Sequence, residues 1–299
     1  MGRPPRRALT AIAVGIVVVA VSLGAAGWPA RDAKESPTKV ATAPSPTPVF
    51  NAAVLPGAQV DTAAPSTTPS PVATSGAWTL DVYDARAVRW QNPDKTACTA
   101  ASAQMMLNMA VYGEQEPTPP IDWKPDVSYS RQESILAYQR RTGTMSLSSP
   151  GADTHGWRNA LNYYGWGSTR AGVYSDKSFD TFDAAVRSTV SAIALYRKPV
   201  GILGWAGNHA QIITGYRVTG GDPRTGTAAF SVVGVYLTDP LRSDGYRDRY
   251  VPLATWKSGG KTIRFTPYLM TNSPYKDPID GKQGNAEWDG KWVVVVPVA

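Results

Sequence analysis

Residues 89–107, RWQNPDKTACTAASAQMML, are the stretch from which the rest of the chain can be placed. The turn-forming Asn92-Pro93-Asp94 gives way at Cys98 to a helical pattern. Cys98, Ala101, Met105, Met109 and Tyr112 recur at three- and four-residue steps, one face of a helix over 98–112. Met106 and Ala110 widen that face, so burial on most sides is expected. The helix opens on the only cysteine among 299 residues. A helix N-terminus carries about half a positive charge and unpaired N–H groups. Both stabilise a thiolate and make the sulfur nucleophilic. The plain alternative is a buried cysteine acting as a small hydrophobe. Upstream, across a short turn, Gln91 can bring its side-chain amide to the same helix end. There it would join a backbone N–H as an oxyanion donor.

Downstream, Pro117, Pro119, Pro120 and Pro125 mark 113–130 as loop. Ser130-Arg131-Gln132-Glu133 reads as a capping box that starts a short helix running to about Arg140. Asp153-Thr154 can cap a helix over 155–164. Residues 179–197 form a longer amphipathic pattern with Phe182, Val186, Val190, Ile193 and Ala194 inward. The character of the chain then changes. Residues 199–205, 209–218, 228–238 and 292–298 are β-branched and aromatic runs parted by Gly, Asn and Asp, and read as strands. TLDVY at 79–83 reads as a further short strand. Helices followed by strands give the expectation of an α+β domain over 77–299.

Only two histidines are available to partner the thiol, His155 and His209. His209 follows Gly207-Asn208 and begins a strand, which places an imidazole rigidly and suits a general base. Asp239, before Pro240, ends a later strand. If the two strands are neighbours, Asp239 can accept a hydrogen bond from His209 and set its tautomer. His155, at the start of a helix, reads as structural or substrate-lining. Trp157, Tyr163, Tyr164, Trp166 and Trp205 read as core or cleft wall. No metal-ligand spacing, phosphate loop or dinucleotide fingerprint occurs, so no cofactor and no metal are expected.

The other end of the chain bears on location. Residues 8–27, ALTAIAVGIVVVAVSLGAAG, are uncharged and follow Arg3, Arg6 and Arg7. Their number matches the roughly 20 residues that cross a bilayer core, and the arginines hold the N-terminus inside. Residues 1–30 are therefore expected to be a membrane anchor, or a signal peptide cut near Gly24-Ala25-Ala26. Residues 31–76, rich in Pro, Ser, Thr and Ala with balanced charges, read as a disordered spacer. The remaining domain is expected outside the cytoplasm, membrane-anchored or secreted. Three of the charges behind the net +7 sit in those arginines. The mild remaining excess, without basic runs interleaved with aromatics, gives no expectation of nucleic acid.

A Gln shortly before a Cys that starts a helix, then Gly-x-His before a strand, then a strand ending in Asp-Pro, resembles the papain-like superfamily. Within it the chain is most similar to the C39-like peptidases. The matching segments are RWQNPDKTACTAASAQMML, KPVGILGWAGNHAQIITGYRV and VYLTDPLR, within residues 89–242. The resemblance implies a papain-like fold with an N-terminal helical part and a C-terminal antiparallel sheet. It also implies Cys98 as nucleophile, His209 as base, Asp239 as its orienter and Gln91 as oxyanion donor. The leader-processing members have Asp and Gly flanking the cysteine, where this chain has Ala97 and Thr99. The implied activity is that of a cysteine peptidase or amidase acting on a peptide or protein at the cell surface. A transferase that resolves the same thioester with an amine, and a silent peptide- or wall-binding module, are the alternatives.

Overall fold

The computed structural model describes residues 76–93, 96–113, 119–145, 151–167, 172–226, 229–241, 246–259, 264–270 and 285–299. The apolar run 8–27 and the spacer, up to residue 75, lie outside the described residues. Among the described residues no helix is long and apolar enough to cross a membrane.

The spine of the domain is one long strand, β4 (His209–Gly220). Along one edge it pairs with β5 (Phe230–Thr238). Along the other edge its first half pairs with β3 (Val200–Gly204) and its second half with β1 (Gly76–Asp81). The changeover falls at Gly215, where a Cβ would lie 2.4 Å from the Leu80 carbonyl oxygen, so any larger residue would force the strands apart. Beyond β5 comes β6 (Arg249–Pro252); beyond β3 come β7 (Trp292–Pro297) and β2 (Tyr174–Phe179). All the pairings are antiparallel.

Helices cover both faces of the sheet. On one, α1 (Cys98–Tyr112), α2 (Tyr129–Thr142) and α3 (Thr154–Trp166) pack with Ala210, Ile212 and Val295. On the other, α4 (Phe182–Tyr196) and Trp256 of α5 (Leu253–Ser258) pack with Val200, Ile213, Leu237, Val294 and Val296. The valine run of β7 is therefore apolar on both sides because both sides are covered. Helix α1 is buried from Thr99 to Ala110. Truncating a side chain such as Met105 or Leu107 to alanine there costs about 2–5 kcal/mol.

The mixed architecture of helices and antiparallel sheet agrees with the α+β expectation, and the 98–112 helix has the expected bounds. Four details differ. The sheet is not confined to the C-terminal part, since β1 precedes the helices and β2 lies between α3 and α4. The first strand spans 76–81 rather than 79–83, because its partners are residues 215–220 of β4. Helix α2 starts earlier than the Ser130 capping box. Asp126 accepts the Ser128 N–H at 2.7 Å, and Ser128, not Ser130, caps the helix by accepting from Arg131 N. The amphipathic helix begins at Phe182, capped by Thr181, because 174–179 pairs with β7 as a strand. The Asp153 cap of α3 is as expected, its carboxylate accepting from Gly156 N at 2.7 Å.

Candidate active site

Helix α1 breaks a local rule at its first residue, Cys98. Its N-cap is Ala97, without a side-chain capping bond, and its first turn holds no acidic residue. The positive end of the helix is left uncompensated beside Cys98. The thiol is half-buried. Burial alone would push its pKa up. The His209 side chain, by hydrogen bond and charge, and the backbone N–H groups of Ala210 and Thr99 outweigh burial and hold the thiol below its ordinary value.

His209 is buried at the start of β4. Its Nε2 lies 2.8 Å from Asp239 Oδ1, which leaves Nδ1 for the thiol. Burial disfavours the imidazolium. The hydrogen bonds to Asp239 and Cys98, with the negative charge on each, outweigh that and push the pKa up to about 9. A thiol held low beside an imidazole held high favours the proton on the ring over the proton on sulfur.

Asp239 directly follows β5, and the pairing of β4 with β5 carries it to His209. Its fully buried carboxylate receives three donors: His209, Gln211 Nε2 at 2.5 Å and Leu241 N at 2.7 Å. A buried acceptor so satisfied is fixed in place. Gln211 was not singled out from the sequence. The signal was available, because residues two apart on a strand share a face, so His-x-Gln puts both side chains toward Asp239. Gln91 is half-buried, and its N–H donates to Pro240 O at 2.9 Å, which ties it to the residue after Asp239.

Trp205 covers the imidazole, with ring centroids 4.4 Å apart. It belongs to a loop whose three residues all have positive φ: Trp205 at 52°, Ala206 at 55° and Gly207 at 99°. Non-glycine residues there cost about 1–3 kcal/mol each and persist only when their surroundings fix them. The segment 264–269, beyond the family-like stretch, does the fixing. Arg264 O accepts from Trp205 N at 3.0 Å, Thr266 Oγ1 accepts from Ala206 N at 2.9 Å, and Leu269 N donates to Ala206 O at 3.2 Å. Against Gly207, the Tyr268 ring lies where a Cβ would be only 2.3 Å away.

The structure thus brings Cys98, His209 and Asp239 into one hydrogen-bonded line, with the Gln91 backbone alongside. His155 lies in another cluster, between Asp176 and Glu287. Trp157 and Trp166 are core residues, whereas Tyr163 is exposed. Among the described residues no group of three or more His, Cys, Asp or Glu side chains is arranged to hold a metal. Compared with family models, curated proteins and solved structures, the chain finds no match in any of the three.

Proposed function

We propose that the chain is a papain-like cysteine hydrolase of C39-like type, a peptidase or amidase acting outside the cytoplasm. The observation that carries this reading is the hydrogen-bonded sequence from Cys98 through His209 to Asp239, begun at an uncapped helix N-terminus. The extracytoplasmic location rests on the arginines and apolar run at the start of the chain.

In this mechanism the Cys98 thiolate attacks a substrate carbonyl carbon. The carbonyl π pair moves to oxygen, where the Gln91 amide and a backbone N–H at the start of α1 receive the charge. The imidazolium of His209 gives its proton to the leaving nitrogen as the C–N bond breaks, which leaves a thioester on Cys98. Water then enters, His209 takes its proton, and collapse of the second tetrahedral species releases the acid and restores the thiolate. Asp239 holds the ring through both proton transfers. Gln211 and Leu241 N hold Asp239.

An electrophilic peptide probe, with the modified residue located by mass spectrometry, tests the reading on the full chain. The expected result is labelling of native Cys98 that His209→Ala suppresses. Labelling that appears only after unfolding, at a rate indifferent to His209, would mark the cysteine as a buried structural thiol.

A further inference from the structure

Helix α2 carries two glutamines that are fully buried, Gln132 and Gln139, on the same face as Ile135 and Leu136. A buried amide left unpaired is destabilising, so what each one binds is informative. Gln139 grips the residue after the nucleophile: Thr99 Oγ1 donates to its Oε1 at 2.9 Å, and its Nε2 donates to Thr99 O at 3.2 Å. Gln132 grips both neighbours of Gln91. Its Nε2 donates to Trp90 O at 2.8 Å, and Asn92 N donates to its Oε1 at 3.0 Å. In an extended segment these two groups point to one side and the N–H of the residue between them to the other. That N–H is the one bound to Pro240 O. Residues 90–92 are therefore held on both edges, by a helix side chain on one and by the residue after Asp239 on the other. Glu133 adds a bond from Asn92 Nδ2 at 3.1 Å.

We propose that Gln132 is a positioning residue for the oxyanion donor: it sets where the Gln91 amide lies relative to Cys98. Helix α2 acts as a ruler, with Gln139 fixed to the start of α1 and Gln132 fixed to the Gln91 segment. The inference rests on the proposed hydrolase reading and deepens it. An oxyanion donor works only if it is aimed before the charge appears, and misplacement of about 1 Å can cost 10²-fold.

Two reagents separate aim from nucleophilicity without knowledge of the substrate. With p-nitrophenyl acetate, Cys98 Sγ forms a bond to the acetyl carbon through a tetrahedral oxyanion, and p-nitrophenolate leaves with the C–O electron pair. With iodoacetamide, the sulfur displaces iodide directly and no oxyanion forms. The ratio of acylation to alkylation rates cancels the thiolate fraction and reports the oxyanion donor. In the full chain, Gln91→Ala should lower that ratio about 10²-fold. Gln132→Met, similar in volume but without the two bonds, should lower it about tenfold while alkylation stays within about twofold. Since Gln132 acts through Gln91, the double variant should fall no further than Gln91→Ala alone. If Gln132→Met does not fold, Gln132→Glu serves. Its protonated acid can make both bonds and its carboxylate cannot donate to Trp90 O, so the ratio should fall as that acid ionises.

An unchanged ratio in the Gln132 variants, with Gln91→Ala still impaired, would overturn the positioning role and leave the hydrolase reading standing. Equal loss of acylation and alkylation would mean general loosening, and would also overturn it. An unchanged ratio in Gln91→Ala would remove the oxyanion assignment itself, and the role of Gln132 with it.

Discussion

The molecule contains two histidines with similar company and different prospects. Each lies beside carboxylate oxygen and under a tilted tryptophan: His209 with Asp239 and Trp205, His155 with Asp176, Glu287 and Trp288. At His155 both ring nitrogens face carboxylates, at 3.5 Å and 3.2 Å, and Glu287 is exposed. Asp176 also takes Arg158 Nη1 at 2.5 Å. At His209 one nitrogen faces a carboxylate and the other a thiol, and ring and carboxylate are both buried. A carboxylate, an imidazole and a tryptophan thus occur together at both histidines. The distinguishing feature is a sulfur at an uncapped helix end on the free nitrogen of a histidine.

Breaking the His209 side of this comparison should have the largest effect. His209→Ala removes the proposed proton carrier and ion-pair partner of Cys98. Turnover of a reporter peptide should fall by about 10²–10⁴-fold or more, and Cys98→Ser should abolish it with circular dichroism unchanged. Asp239→Asn comes next, with a smaller loss than His209→Ala, because the ring keeps a neighbour but loses the charge that favours its protonated form.

The third effect is a pH dependence. In the proposed mechanism protonated His209 is the acid that releases the leaving group, so activity should decline as pH rises through about 9, where the ring loses its proton. In the same mechanism the acid limb is that of Cys98 and should lie below the ordinary thiol range. Asp239→Asn withdraws a cause of the raised His209 value, so its alkaline limb should move to lower pH. An unmoved limb in that variant would assign the limb to another group. The smallest effect is expected at His155. His155→Ala should lower stability by on the order of 1 kcal/mol, read from the denaturant midpoint, with turnover kept within about threefold. Inactive His155→Ala beside a near-normal His209→Ala would invert the comparison.

The parts legible in the sequence were those in which one periodic pattern meets one chemical group. The 98–112 helix, its burial and its opening cysteine were readable because apolar spacing and the lone thiol coincide. His209 and Asp239 were readable because each sits at a strand end. Strand β2, YSDKSF, was not, because it is mostly polar and, among the described residues, lies at the sheet edge and pairs with β7 alone. The start of α2 was misplaced because a long-range arrangement decides it. Asp126 is held by Asn108 and Arg131, and in turn sets Ser128 as the cap. Gln132 and Gln139 look like surface residues in a string of letters. They nevertheless flank Ile135 and Leu136 at helical spacing, so the four form one buried face. The strained loop 205–207 had no local signal at Trp205 or Ala206, because its conformation is held by residues 264–269.

The rate of Cys98 alkylation by iodoacetamide, measured across pH on the native full chain and on His209→Ala, reports the coupling of thiol and imidazole itself. A step is expected below the ordinary thiol value of about 8.5, with a second change near 9 as His209 loses its proton. In His209→Ala the low step should move up toward the ordinary value, because the hydrogen bond and charge that hold the thiol low are gone. A single step at or above the ordinary value, the same in both proteins, would contradict the thiolate–imidazolium pair on which the account rests.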